Sequence, residues 1–337
     1  MVKVFLALLC LGYLASGFTT PSLFRIGTGG SSGTYFPIGS LIAASISDVF
    51  SGDAGQPNFA SVDGLFAVAQ RSNGSVANVE DIENGLLEGA LSQADVTHWA
   101  YYGTGPYSTQ PAKTSLRAVA SLYPESLHLV VRSESNIRSV RDLIGHRVSI
   151  DEAGSGTLFD VRTVLEAYGI AVDEINAVYL KPADAIDRFR QDKLDAFFIV
   201  AGYPVSAISE LVRENKAVVV PIDGVEIDIL LRQYPFFSRD VIPSNAYPNA
   251  SEVPTVAVTA QLLVSSDISE ELAYEITRKL WDAETLEYLA DGHPKGRAVQ
   301  LDTALIGISI PLHNGARQFY SELGISMTGI PVYDPLK

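Results

Sequence analysis

Two short segments of the chain follow one pattern, Ser32-Gly33-Thr34-Tyr35-Phe36 and Ser155-Gly156-Thr157-Leu158-Phe159. Each stands between a short β-rich run and a helical one. Such a turn leaves the first-turn amides of the following helix without intrahelical acceptors, beside a Thr or Ser hydroxyl and at the positive end of the helix dipole. Each is therefore a candidate anion-binding turn. A chain with two strand, turn and helix starts of this kind has one natural solution, which is two α/β units in which helices cover predominantly parallel strands.

The rest of the pattern extends that reading. In the first half, residues 24–27, 64–69 and 86–93 read as strands, with helices from Pro37 and over 76–84 between them. Ile38, Leu41, Ile42, Ile46 and Val49 recur at helical spacing, Ser75 caps the second helix and Gly85 marks its end. In the second half, 147–150, 177–180, 196–200 and 217–221 read as strands, with helices over 157–168, from Pro182 and after 200. Between the halves, 116–123 and 127–132 read as consecutive strands interrupted by Pro124-Glu125. After Pro221 a stretch rich in Pro, Tyr and Asn reads as irregular up to Val253-Pro254, and 255–264 as a strand. If that last strand rejoins the first sheet, the chain crosses between the units twice. The expected fold is thus α/β, with two parallel or mixed sheets flanked by helices and a double-crossover hinge, the strand ends of both sheets facing one cleft. The expected lobes are 24–125 with 253–330, and 126–252. Helices over 270–289 and 311–323 should pack on the first.

Residues 1–17 read as an export signal, with Lys3, an apolar run over 4–14 and the small residues Ala15-Ser16-Gly17, so cleavage is expected near Gly17. Retention as an uncleaved anchor is the alternative. Cys10, the single cysteine among 337 residues, lies inside this segment, and the exported chain would have neither disulfides nor thiolate chemistry. With 39 acidic against 24 basic residues the formal charge is −15, which disfavours nucleic acid and anionic membrane surfaces as partners. His98, His128, His146, His293 and His313 are scattered without ligand spacing, so neither a metal nor a cofactor is expected.

Some motifs invite other chemistry. The run from Gly27 to Gly33 could suggest a dinucleotide turn, but the next strand ends in Gln70-Arg71 rather than an acid. Gly29-Gly30-Ser31-Ser32-Gly33 fits the G-x-S-x-G pattern of a nucleophile elbow, with His293 or His313 downstream; a serine hydrolase using Ser31 is the enzyme alternative. Asp151-Glu152 reads as solvated surface. Trp99, Tyr101, Tyr102 and Tyr107 read as cleft lining, with packing under a loop as the alternative.

Taken in order, Phe24-Arg25-Ile26-Gly27-Thr28-Gly29-Gly30, Gly33-Thr34-Tyr35-Phe36-Pro37, Gly74-Ser75-Val76-Ala77-Asn78, Gln93-Ala94-Asp95-Val96, Tyr102-Gly103-Thr104-Gly105, Leu122-Tyr123-Pro124-Glu125, Gly154-Ser155-Gly156-Thr157 and Val200-Ala201-Gly202 resemble the TAXI family of TRAP-transporter solute-binding proteins. The resemblance implies a two-lobed, type II-like periplasmic-binding-protein fold and no enzymatic activity. It implies a monomeric periplasmic protein that captures a small organic acid or amino acid, such as glutamate or a related dicarboxylate, and delivers it to a TRAP membrane permease. A periplasmic sensor subunit shares the fold. The expected ligand-binding residues are Gly29, Thr34, Tyr35, Gly74, Ser75 and Gln93 in the first lobe and Gly154, Ser155, Gly156, Thr157, Ala201 and Gly202 in the second. Arg71 and Lys181 depart from the family pattern, and both are expected either to meet a second ligand carboxylate or to extend into solvent.

Overall fold

The computed structural model describes residues 22–47, 62–248 and 251–332, so the expected export signal, Cys10 and Val49 lie outside the described residues. The first half of the chain contains β1 (Ser22–Gly27), α1 (Tyr35–Ile46), β2 (Leu65–Gln70), α2 (Ser75–Glu83), β3 (Gly89–Gln93), α3 (Ala94–Tyr102) and β4 (Leu116–Arg132). The middle contains β5 (Arg147–Ser149), α4 (Gly156–Ala167), β6 (Asn176–Val178), α5 (Pro182–Arg190), β7 (Ala196–Ala201), α6 (Ser206–Arg213), β8 (Ala217–Val220), α7 (Val225–Gln233) and β9 (Ser238–Ile242). The chain then returns through β10 (Val253–Ser265), α8 (Glu270–Leu280), α9 (Ala283–Gly292) and α10 (Asn314–Glu322).

The expected pair of separate sheets is instead one hydrogen-bonded path, in the order β2-β1-β3-β10-β4-β7-β5-β6, with β8 on β4 and β9 on β10. The physical reason is strand length. At about 3.3 Å per residue the 17 residues of β4 reach about 55 Å, enough to run through both lobes. Pro124-Glu125 does not interrupt it, because β4 changes partners there rather than stopping. Up to Ser126 it pairs antiparallel with β10, with Pro124 opposite Thr259, and from Ser126 onward it pairs with β7 and β8. Likewise β10 pairs with β9 up to Ala257 and with β4 from Ala257 on. These two strands are the two crossings between lobes.

Each lobe has its own apolar core. One is built on Phe24, Ile26, Ile38, Leu91 and Tyr123 together with Leu262 and Tyr320 from the returning segment. The other lobe is filled by two clusters drawn from between Leu127 and Val258. Three smaller expectations are corrected. The helix over 270–289 is two helices, because the chain breaks at Trp281-Asp282 and restarts at α9. The stretch after Pro221 is ordered as α7 and β9, with Ile227 and Leu230 buried. Trp99 does not line a cleft: its ring packs edge-on against Phe159, Tyr234 and Phe236 of the other lobe at 6.3, 6.0 and 5.0 Å, forming an aromatic seam between lobes. No described helix is long and apolar enough to cross a membrane.

Candidate ligand-binding site

The turn after β1 is held by neighbouring side chains. Asn78 Nδ2 donates to the carbonyls of Thr28 and Leu91, both at 2.7 Å, and Ser72 Oγ donates to the Thr28 carbonyl at 2.8 Å. That fixes where α1 begins. Opposite, Ser155 caps α4: its Oγ accepts the Thr157 amide at 3.1 Å, and its hydroxyl donates to Asp151 Oδ2 at 2.8 Å. Gly74, at φ +110°, lies against Gly154 and Ser155, and the Ala77 amide donates to the Gly154 carbonyl at 3.1 Å. A side chain at Gly74 would be strained in this backbone conformation. The turn before α2 therefore meets the second turn of the repeated pattern across the lobes, and both turns of that pattern contribute to one cavity wall.

Between them lies a cavity of about 300 Å³. Of the fourteen expected residues, Gly29, Thr34, Tyr35, Arg71, Gly74, Ser75, Gln93, Ser155, Gly156, Thr157 and Lys181 line it, and Gly154, Ala201 and Gly202 do not. Gly154 is spent on the contact with α2. Gly202 serves two other neighbours: its amide donates to Thr34 Oγ1 at 3.0 Å, and the Lys295 stem fills the place a β-carbon would take, with Cγ 2.4 Å away. Ala201 is wholly buried. Among the described residues, the amides of Tyr35, Ser75 and Gly156 have no acceptor within the chain, which leaves three helix-start donors around the cavity.

The walls also carry carboxylates that sequence reasoning passed over. Asp151 is not solvated surface; it is 5% exposed, takes up φ +70° and accepts the Glu152 amide through Oδ1 at 2.8 Å. Burial pushes its carboxyl up to about 6 against the opposing pull of Ser155 and the Glu152 amide. Glu125 is 2% exposed, and its Oε2 has no partner. Burial pushes it up to about 8, while Tyr35 and the nearby Lys295 act in the opposite direction. Glu152 completes the set. The one acid in the long β-rich run of β4 was the available clue to Glu125, and a strand-end acid before a Gly-Ser-Gly turn the clue to Asp151.

A polar chain continues behind the cavity. Tyr35 Oη lies 3.3 Å from Ser75 Oγ, Ser75 donates to Gln93 Oε1 at 3.2 Å, and Gln93 Nε2 donates to Asp160 Oδ2 of the other lobe at 2.6 Å. Lys295, 6% exposed, sets its ammonium 3.8 Å from the Tyr203 ring centre, and burial lowers its pKa. Arg71 and Lys181 both line the cavity with exposed side chains: Arg71 lies over the Phe36 ring at 4.7 Å, and Lys181 Nζ is 3.3 Å from Asn73 Oδ1 across the lobes and 3.8 Å from Glu152. Ser31 is also in the wall, but no histidine is. His293 Nδ1 accepts the Lys295 amide and His313 Nδ1 the Gly315 amide, so both serve as helix caps.

Comparison with known proteins fits this architecture. The putative aliphatic sulfonates-binding protein of Escherichia coli (strain K12) is 33% identical over 85 residues, 25% of this chain and 26% of that protein, so the match spans about a quarter of the relative's length. A binding protein component of an ABC phosphonate transporter from Pseudomonas aeruginosa superposes with a TM-score of 0.51 at 10% identity, covering 80% of this chain and 78% of that one. A Bordetella bronchiseptica RB50 protein gives 0.52 at 13% identity over 93% and 85%. The fold is the two-lobed α/β fold of periplasmic binding proteins. Residues 26–324 match the model of the NMT1-like family, and the chain belongs to that family.

Proposed function

We propose that the chain is the exported solute-binding subunit of a membrane transporter, of the TAXI type within TRAP systems, and that it captures a small amino acid such as glutamate between lobe I (24–125 and 253–330) and lobe II (126–252). The observation that carries this reading is a cavity walled by both lobes, with amide donors and carboxylates around one space of about 300 Å³, the lower end of small-molecule sites. The ligand carboxylate is taken by the amides of Tyr35, Ser75 and Gly156, and its ammonium by Asp151 and Glu152. Arg71 and Lys181 offer charge to a side-chain carboxylate. A ligand bound by both lobes favours the closed form through its differential affinity, and the permease reads that form.

An aminosulfonate is the second reading, supported by the name of the Escherichia coli relative. A sulfonate presents oxygens to the same amides. Thermal denaturation with L-glutamate, glutarate and taurine separates the possibilities, since a ligand at about 100 times its Kd stabilises by about 2.7 kcal/mol. L-glutamate is expected to stabilise most. A larger effect of taurine favours the second reading, and no effect from any of the three counts against solute capture of this class.

A further inference from the structure

Asp95 opens α3 in lobe I and Asp160 lies on α4 in lobe II; Gln93, which caps α3 two residues before Asp95, donates its Nε2 to Asp160 Oδ2 across the lobe interface at 2.6 Å, and each carboxyl feels the other there. They are 0% and 1% exposed. Neither oxygen of Asp95 meets a well-aligned N–H or O–H donor, nor does Asp160 Oδ1; Asp160 Oδ2 takes the Gln93 amide. Two ionised carboxylates cannot face each other in a dry interface without a cation, whereas an acid and a carboxylate sharing one proton can.

Around the pair, among the described residues, only the amides of Asp95 and Val96 and the side-chain amide of Gln93 favour a negative charge against burial. From β4, Glu125 adds repulsion toward both groups. From residues 105–107, Tyr107 feels Asp95, and its hydroxyl is buried without a partner. Tyr35 from α1 and Lys295 both act on Glu125 and favour its charged form. On α3 itself, burial lowers the pKa of His98 and so disfavours a positive charge there. The aromatic seam of Trp99, Phe159 and Phe236 stands beside the pair and keeps water out.

We propose that lobe closure takes up a proton, shared by Asp95 and Asp160 across the interface, so that acidic pH favours the closed form and rising pH opens it. Opening returns both groups to water and to the ordinary aspartate range near about 4. Burial raises both in the closed form, which therefore binds the extra proton. The window begins at about pH 4 and runs upward to the pair's upper step, and within it the open-to-closed ratio rises by up to about tenfold per pH unit. The inference rests on the capture reading only for the existence of an open form.

The test is a pH series from 5 to 8 on ligand-free protein, following the radius of gyration by small-angle scattering and the tryptophan emission, in which Trp99 is at the lobe interface and Trp281 is not. Asp160→Asn replaces the proton with an amide: its Oδ1 accepts from Gln93 and its Nδ2 donates to Asp95. Wild type is expected to expand as pH rises, and both Asp160→Asn and Asp95→Asn to respond less over the same range, what remains being due to Glu125 and Asp151 of the cavity wall. A wild type with unchanged dimensions and emission, or variants that follow its curve, overturns the proposal. Adding L-glutamate at pH 5 and pH 8 tests the capture reading separately, because failure to bind with the pH transition intact removes the ligand assignment alone.

Discussion

A β-carbon placed on Gly156, at the start of α4, would stand 1.3 Å from Gln93 Oε1 and 2.5 Å from Gln93 Cδ in the opposite lobe. Gln93 cannot step aside cheaply, because Ser75 and Asp160 hold both ends of its side-chain amide. Gly156 has an ordinary helical start and no positive φ, so alanine suits the helix itself. Gly156→Ala should therefore leave ligand-free stability within about 1 kcal/mol and weaken ligand binding at least about tenfold, by blocking closure. Calorimetry alongside thermal denaturation checks both halves of this prediction.

Thr34 and Gly202 form a second closure contact, with the Gly202 amide donating to Thr34 Oγ1 at 3.0 Å. Thr34→Val keeps the shape and removes the acceptor. In the closed form the Gly202 N–H then has no partner, at a cost of about 1–3 kcal/mol, whereas in the open form water reaches it. Affinity should fall by at least about fivefold, mainly through faster release, which stopped-flow dissociation would show. Unchanged dissociation would mean that the contact contributes nothing to the closed form.

Glu125 gives a pH prediction with a definite sign. Its carboxyl is raised by burial from an ordinary value of 4.5 to about 8, so the folded chain holds this proton more tightly than the unfolded chain does. Stability due to this group falls as pH rises from 4.5 to about 8, by up to ~1.4 kcal/mol per pH unit, and levels off above. Glu125→Gln carries no such titration. Its melting temperature should overtake that of wild type as pH rises from 5 to 8. A constant difference between the two would show that Glu125 is ionised throughout.

Asp151 tests the amino end of the ligand. Asparagine tolerates its φ of +70°, so Asp151→Asn should fold normally. It should bind L-glutamate at least about tenfold more weakly and bind glutarate, which lacks the ammonium, about as before. Equal losses for both ligands in calorimetry would assign Asp151 to shaping the Ser155 cap instead.

Much of this arrangement was legible in the chain because it is local. Thr34, Ser75 and Ser155 stand at helix starts, where short-range pattern fixes both the backbone and the free amides. What was not legible depends on distant partners. Gly202 reads as a close approach to ligand, but only the fold reveals that Lys295, 93 residues further on, fills the space above it. Asp151-Glu152 looks like solvated surface until the Ser155 turn at the start of α4 folds back on Asp151. Pro124 looks like a strand break because proline removes an amide hydrogen. Its position at the change of strand partners makes that loss tolerable.

The most direct test of solute capture between the lobes is native mass spectrometry of the protein, purified without denaturation and then incubated with a panel of amino acids and organic acids. The account predicts one small solute bearing both an amine and an acid group per chain, lost on activation in the gas phase and absent from Gly156→Ala. A wild type that stays unliganded across the whole panel, or a variant that loads equally, would contradict it.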